Sequence, residues 1–310
     1  MTKKTTTAPA PTMDVAATPA TAAATAVAVS TQPATRTATR RTPAPDPKRA
    51  KRAADRRFRW IVGTVTIIVM LVVWQVVVSS GNLSPRVMSS PSMIVEAFEE
   101  DWSQILAPAT VITGTEGVVG FVAAVPIGIL FGVMLSVSRL FSAALYPLLA
   151  IAQMLPLITI APLFIIWFGF EPLGKIAMVA VFSVFPIAVQ TYRGLQAVPS
   201  YYTDVALTCG AGRVYILFHI KLRVAAGQIF GGMKIASIYV FATAATAEYL
   251  GARNGLGIVL QSAFDSFETP LIFAATVLIV VMTGLLWWIL SAIEKIWFPD
   301  DAAGMSEDGR

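Results

Sequence analysis

Six apolar runs, at about 60–78, 116–137, 143–169, 174–192, 226–247 and 271–292, dominate this 310-residue sequence. A helix needs roughly 20 apolar residues to cross the hydrocarbon core of a bilayer, and all six runs come close to that length. Only 13% of the residues are charged, against about 25% in a soluble globular chain. These features predict an all-α polytopic membrane protein with six transmembrane helices. The third run holds Pro147, Pro156 and Pro162, so it should be kinked or broken. Broken helices are tolerated in a membrane only against protein or a wet cavity.

Charge is distributed unevenly. Twelve of the 23 Lys and Arg precede Trp60. Residues 1–57 form an Ala-, Thr- and Pro-rich segment that ends in the basic cluster Lys48, Arg49, Lys51, Arg52, Arg56 and Arg57. Such a segment buries too little apolar surface to offset the entropy of ordering, so a disordered basic tail is expected. Basic residues beside a span set orientation and can also touch anionic membrane lipid; nucleic-acid binding is the weaker explanation. The first apolar run lies far from a signal-peptide position, which predicts an uncleaved anchor with a cytoplasmic N-terminus. With that orientation Arg139, Arg193, Arg213, Lys221, Arg223, Lys295 and Arg310 fall on the cytoplasmic side. The external side receives Arg86, Lys175 and Arg253 with Glu96, Glu99, Glu100, Asp101, Asp265 and Glu268. The asymmetry predicts that both termini are cytoplasmic, with 299–310 as a short tail. In the first external loop, Ile94, Phe98 and Ile105 share one face of an amphipathic helix that starts near Pro91 with Ser90 as its N-cap.

Several functions are excluded by what the sequence lacks. One cysteine, Cys209, and one histidine, His219, cannot build a His/Cys metal site or an intrachain disulfide. There is no P-loop, no G-x-S-x-G and no H-E-x-x-H pattern. An ATP-driven process would need its nucleotide machinery in another chain.

Between the fourth and fifth runs lies a polar interruption, DVALTCGAGRVYILFHIKLR, Asp204 to Arg223. Asp204-Val205-Ala206, then Gly210 four residues on, then Ile220 and Leu222, predict a short helix, a glycine turn at Gly210 or Gly212, and a second helix. Asp204 is expected near a helix N-terminus, where the dipole favours a carboxylate. Ala206 and Gly210 are small enough to let a partner approach closely.

This interruption resembles the cytoplasmic E-A-A loop of ABC-transporter permeases, whose pattern continues through a glycine to I-x-L-P. Val205 stands for the middle alanine, and Arg223 stands where the family has proline. Residues 78–298 are similar to the nitrate, sulfonate, taurine and thiamine-precursor permease group of the binding-protein-dependent type. The resemblance is carried by SSPSMIVEAF, GFVAAVPIGILFGVML, LPLITIAPLFIIWFGFEPLGKIAMVAVFSVFPI and AEYLGARNGLG. It implies a type I ABC importer permease fold over 58–298 in a bacterial cytoplasmic membrane. It also implies a homodimer, with cytosolic ATPase subunits docked on 199–223 and an extracytoplasmic binding protein that delivers a small solute. The chain would bind no cofactor of its own, since ATP and Mg would sit on the ATPase, and it would work by alternating access. The competing reading is a channel or secondary carrier independent of an ATPase; such carriers usually show internal repeats and several midplane charges.

Three residues are candidates for the translocation pathway. Lys234 is a charge inside the fifth run, facing protein or water, or snorkelling to the headgroups. Glu248 ends the same run and could shape an external gate or pair with Arg253. Gln153 lies beside the Pro156 break, where a polar side chain meets cargo or bonds a neighbouring helix. The spacings Gly128-x-x-x-Gly132 and Gly227-x-x-x-Gly231 predict close helix packing. Cys209 and His219 are expected to pack, and Trp287, Trp288 and Trp297 to form an interface belt.

Overall fold

The computed structural model describes residues 47–80 and 87–298. The chain divides into two units, Met1–Arg59 and Trp60–Arg310. Helix α1 (Pro47–Ser79) begins well before Trp60, so the end of the expected disordered tail is helical. Residues 1–46 and 299–310, and Arg86, lie outside the described residues.

All described secondary structure is helical. Five helices are long and apolar enough to cross a membrane, or six if one bent pair counts as a span. That pair is α4 (Arg139–Ala152) and α5 (Leu157–Phe168), which meet at 102°. Of the three prolines in this run, only Pro156 sits at the break, as the N-cap of α5; Pro147 and Pro162 lie inside helices. The bend falls there because Pro156 adopts an extended backbone, φ −64° and ψ 121°, and cannot continue the ladder from α4.

Helix α2 (Pro91–Asp101) starts as expected, with the Ser90 hydroxyl accepting from the Met93 N–H at 3.4 Å. Its predicted face holds only in part. A π-helical turn, Trp102–Leu106, joins α2 to α3 (Ala107–Val137). The extra residue in that turn rotates the register. Leu106 is therefore fully buried with Ile94, and Ile105 stays exposed.

The core is the three-helix packing of α3, α6 (Pro172–Gln196) and α10 (Ala226–Gly251). Helix α3 presents a stripe of Gly120, Ala124, Gly128 and Gly132 to α6. A methyl added at Gly128 would press into Ile187, and one at Gly132 into Thr191. Apolar lipid gives apolar helices little reason to associate, so van der Waals contact at such small-residue seams holds membrane helices together. The second glycine spacing reads differently. Gly231 faces open space, and the close approach to α6 is made by Gly232 against Pro186, Ile187 and Gln190.

One further element lies outside the six expected spans. Helix α11 (Leu256–Asp265) is a short apolar helix lodged against α10 and α12 (Thr269–Trp297), with Leu256 and Ala263 fully buried. It lies at the end of the bundle opposite the polar loop 199–223.

Candidate functional site

The loop 199–223 folds as a chain of short helices. These are α7 (Ser200–Thr208), α8 (Arg213–Tyr215), a π-helical turn over Ile216–Lys221, and α9 (Leu222–Val224). Gly210, not Gly212, makes the turn, with φ +81°. The Gly210 N–H donates to the Leu207 carbonyl at 2.9 Å and the Ala211 N–H to the Ala206 carbonyl at 3.0 Å. This pair of bonds is a Schellman stop, which needs a left-handed residue just past the helix end. The spacing from Ala206 to Gly210 is therefore the spacing of a helix terminus, independent of any partner.

Two expectations for this loop change. Asp204 is the fifth residue of α7 and no acid lies in its first turn, because the helix already begins at Ser200 behind Pro199. The dipole at the helix start, which fades within one turn, gives Asp204 no support. Ala206, expected to leave room for a partner, is buried against the chain itself. The exposed side chains of the loop include Asp204, Tyr201, Tyr202, Val205, Tyr215 and Phe218. The rings of Tyr201 and Tyr202 meet at 4.2 Å between centroids, tilted by 30°, and those of Tyr215 and His219 stack at 4.2 Å. Ile220 is half-buried, and Leu222 packs on the main core. At Arg223 the helical path runs on through Ala225, in a helical conformation, into α10; proline is not needed to start that span here. Cys209, the C-cap of α7, is exposed.

The far end of the bundle holds a buried polar network. Glu248 is fully buried. Its carboxylate accepts the Thr113 hydroxyl at 2.8 Å and the Gly257 N–H at 2.8 Å. Thr113 Oγ1 in turn accepts the Leu256 N–H at 2.8 Å. One carboxylate and one hydroxyl thus satisfy the two backbone donors at the start of α11, which have no partner inside that helix. Gly255 at φ +117° brings the backbone so close that a Cβ there would collide with the Glu248 carboxylate. The A-E-x6-G-L-G pattern is the sequence of this corner. Glu248 does not pair with Arg253.

Close by, Lys175 Nζ lies 2.5 Å from Glu116 Oε1, with both side chains largely buried. Lys175 was expected in an external loop, but α6 starts at Pro172 and takes it into the bundle. Glu116, on α3, was not singled out from sequence. Toward the opposite end of α10, Lys234 pairs with Glu294 of α12, and Trp287 lies 6.0 Å from the Lys234 ammonium. Among the described residues the buried charges therefore number more than the single lysine expected, and they come in pairs or hydrogen-bonded clusters. That is how ionised groups are accommodated in a low-dielectric interior.

Gln153 is exposed at the C-cap of α4, its amide donating to the Leu149 carbonyl at 3.4 Å. It lines a cavity of about 320 Å³ with Phe182, Phe185, Tyr239 and Thr243. The structure thus keeps apart the three residues grouped as a pathway: Gln153 at the cavity, Lys234 in an ion pair, Glu248 in the α10–α11 corner.

Residues 124–299 match the model of the family described as binding-protein-dependent transport system inner membrane component. The chain is 28% identical over 247 residues to the formylaminopyrimidine transport permease protein ThiX of Halalkalibacterium halodurans, covering 78% of this chain and 95% of that one. It is 27% identical over 260 residues to the taurine transport system permease protein TauC of Escherichia coli, covering 78% and 93%. Among solved structures, an inward-facing MetNI methionine ABC transporter aligns with a TM-score of 0.55 at 21% identity, over 67% of this chain and 99% of that chain. That likeness supports the fold.

Proposed function

The chain belongs to the family of binding-protein-dependent transport system inner membrane components, and on that premise we propose how it works. It is the membrane-spanning permease of an importer for a small solute. Two copies form the membrane core, a substrate-binding protein delivers cargo from outside, and cytosolic ATPase subunits dock on 199–223. ATP and Mg bind to the ATPase, and the chain moves between inward- and outward-open states with both termini in the cytoplasm.

One observation carries the docking assignment. The polar loop exposes the large side chains Tyr201, Val205, Tyr215 and Phe218, and the carboxylate of Asp204, to the surroundings. Exposed apolar clusters rimmed by polar groups mark interaction sites. From Arg213 onward the loop runs through helical residues into α10, so a push on Tyr215 and Phe218 becomes a rigid-body movement of a span.

The solute belongs to the sulfonate, nitrate or thiamine-precursor class. Phe182, Phe185 and Tyr239 beside Gln153 favour its ring-bearing member, since a planar ring can stack there while the amide bonds its edge.

The test replaces exposed residues only. Val205→Asp with Tyr215→Asp is expected to abolish co-purification of the cognate ATPase subunit and uptake, at unchanged membrane level and melting temperature. Undiminished co-purification would remove the docking assignment.

A further inference from the structure

A second cavity, of about 430 Å³, lies where α3 and α6 end beneath the polar loop. Its polar lining includes Arg213, Lys221, Gln196 and Thr203, and its apolar lining includes the buried Leu195 and the exposed Val137 and Val214. None of the lining side chains is acidic. Among the described residues neither Arg213 nor Lys221 takes part in an ion pair, because both ion pairs lie elsewhere. Two unpaired cations thus face one concave space.

Its position narrows the occupant. Val137 and Leu195 belong to the last turns of apolar spans, and Arg213 and Lys221 to the polar loop. The cavity therefore straddles the boundary between hydrocarbon and headgroups. A free inorganic anion would satisfy the cations and leave the apolar wall bare. A neutral lipid would cover the wall and leave the charge uncompensated. We propose that this cavity is a binding site for one anionic phospholipid, its phosphate against Arg213 and Lys221 and the start of an acyl chain against the exposed side chains of Val137 and Val214. The cavity takes Thr203 and Leu207 from α7 but neither Tyr201 nor Tyr202.

Basic pockets between membrane helices hold anionic headgroups by charge, and two cations together favour an anionic over a zwitterionic lipid by about 30-fold. A lipid seated there would brace the polar loop against the ends of α3 and α6.

The test uses the full chain in phosphatidylcholine vesicles doped with spin-labelled phosphatidylglycerol or spin-labelled phosphatidylcholine. The motionally restricted signal is expected to be larger for phosphatidylglycerol. It should fall to the phosphatidylcholine level in the Arg213→Gln/Lys221→Gln variant and persist in Arg213→Lys/Lys221→Arg. The basic run at 48–59 is common to every variant and cancels from the comparison. Melting temperature checks that each variant is folded. An unchanged phosphatidylglycerol signal in the Gln variant overturns the proposal. Displacement by inorganic phosphate assigns the cavity to a free anion and also overturns it. Loss of the signal when the ATPase subunit is added gives the cavity to the ATPase, with the same consequence.

Discussion

The carboxylate of Glu248 and the backbone N–H of Gly257, nine residues apart, are joined at 2.8 Å inside the bundle. This bond, with the two made by Thr113, fixes the direction in which the chain leaves α10 and enters α11. Glu248→Gln replaces one acceptor oxygen by a donor that faces other donors. A buried unsatisfied polar group costs about 1–3 kcal/mol. The variant should melt several degrees lower in detergent, and Thr113→Val should show a loss of similar size. If the two substitutions are additive in the double variant, the residues are not coupled as described.

Gly255 gives a sharper contrast. Its φ of +117° and the carboxylate beside it leave no room for a side chain, whereas Gly231 faces open space. Gly255→Ala should abolish folded protein in the membrane. Gly231→Ala should leave expression and uptake unchanged. Equal behaviour of the two variants would refute the described corner.

For Lys234 and Glu294 the expected result is a thermodynamic cycle. Removing one partner of a buried ion pair strands the other and costs about 3–5 kcal/mol, while an apolar replacement of both is often neutral. Lys234→Met should therefore destabilise strongly and Lys234→Met/Glu294→Leu should recover most of the loss. Uptake that returns with stability identifies the pair as a tie between α10 and α12. A stable double variant without uptake would place Lys234 on the solute's path.

Gln153 is expected to affect the solute and not the fold. Its side chain is exposed, and among the described residues its amide bonds the Leu149 carbonyl one turn back. Gln153→Leu should leave melting unchanged and raise the half-saturating solute concentration for uptake in proteoliposomes. An unaltered uptake curve would remove it from the pathway.

Much of this architecture follows from local pattern. Apolar runs mark the spans because a helix satisfies its own backbone in lipid, and the extended backbone at Pro156 sets the α4–α5 break. The Schellman stop is legible too, because Ala206 and Gly210 stand at the spacing a helix terminus requires. What escapes the sequence is mostly long-range. Glu116 and Lys175 are 59 positions apart in sequence, and nothing local says they meet. Lys234 and Glu294 pair for the same reason, across α10 and α12. Helix α11 is too short for a span, but Leu256, Val259, Leu260 and Ala263 in its run LGIVLQSAF stand at the i, i+3, i+4, i+7 spacing of an amphipathic helix, the signal that marks it in the sequence. The π turn at Trp102–Leu106 has no sequence mark, and it alone decides that Leu106 and not Ile105 is buried.

Cys209 is the sole cysteine of the chain and is exposed at the end of α7. A short photocrosslinker attached to it reports directly on what covers the loop. In membranes containing the cognate ATPase subunit, illumination should yield an adduct between the two chains, and Val205→Asp/Tyr215→Asp should eliminate it. An efficiently labelled Cys209 that gives no ATPase adduct, in membranes that import the solute, would contradict the assignment of 199–223 as the ATPase dock.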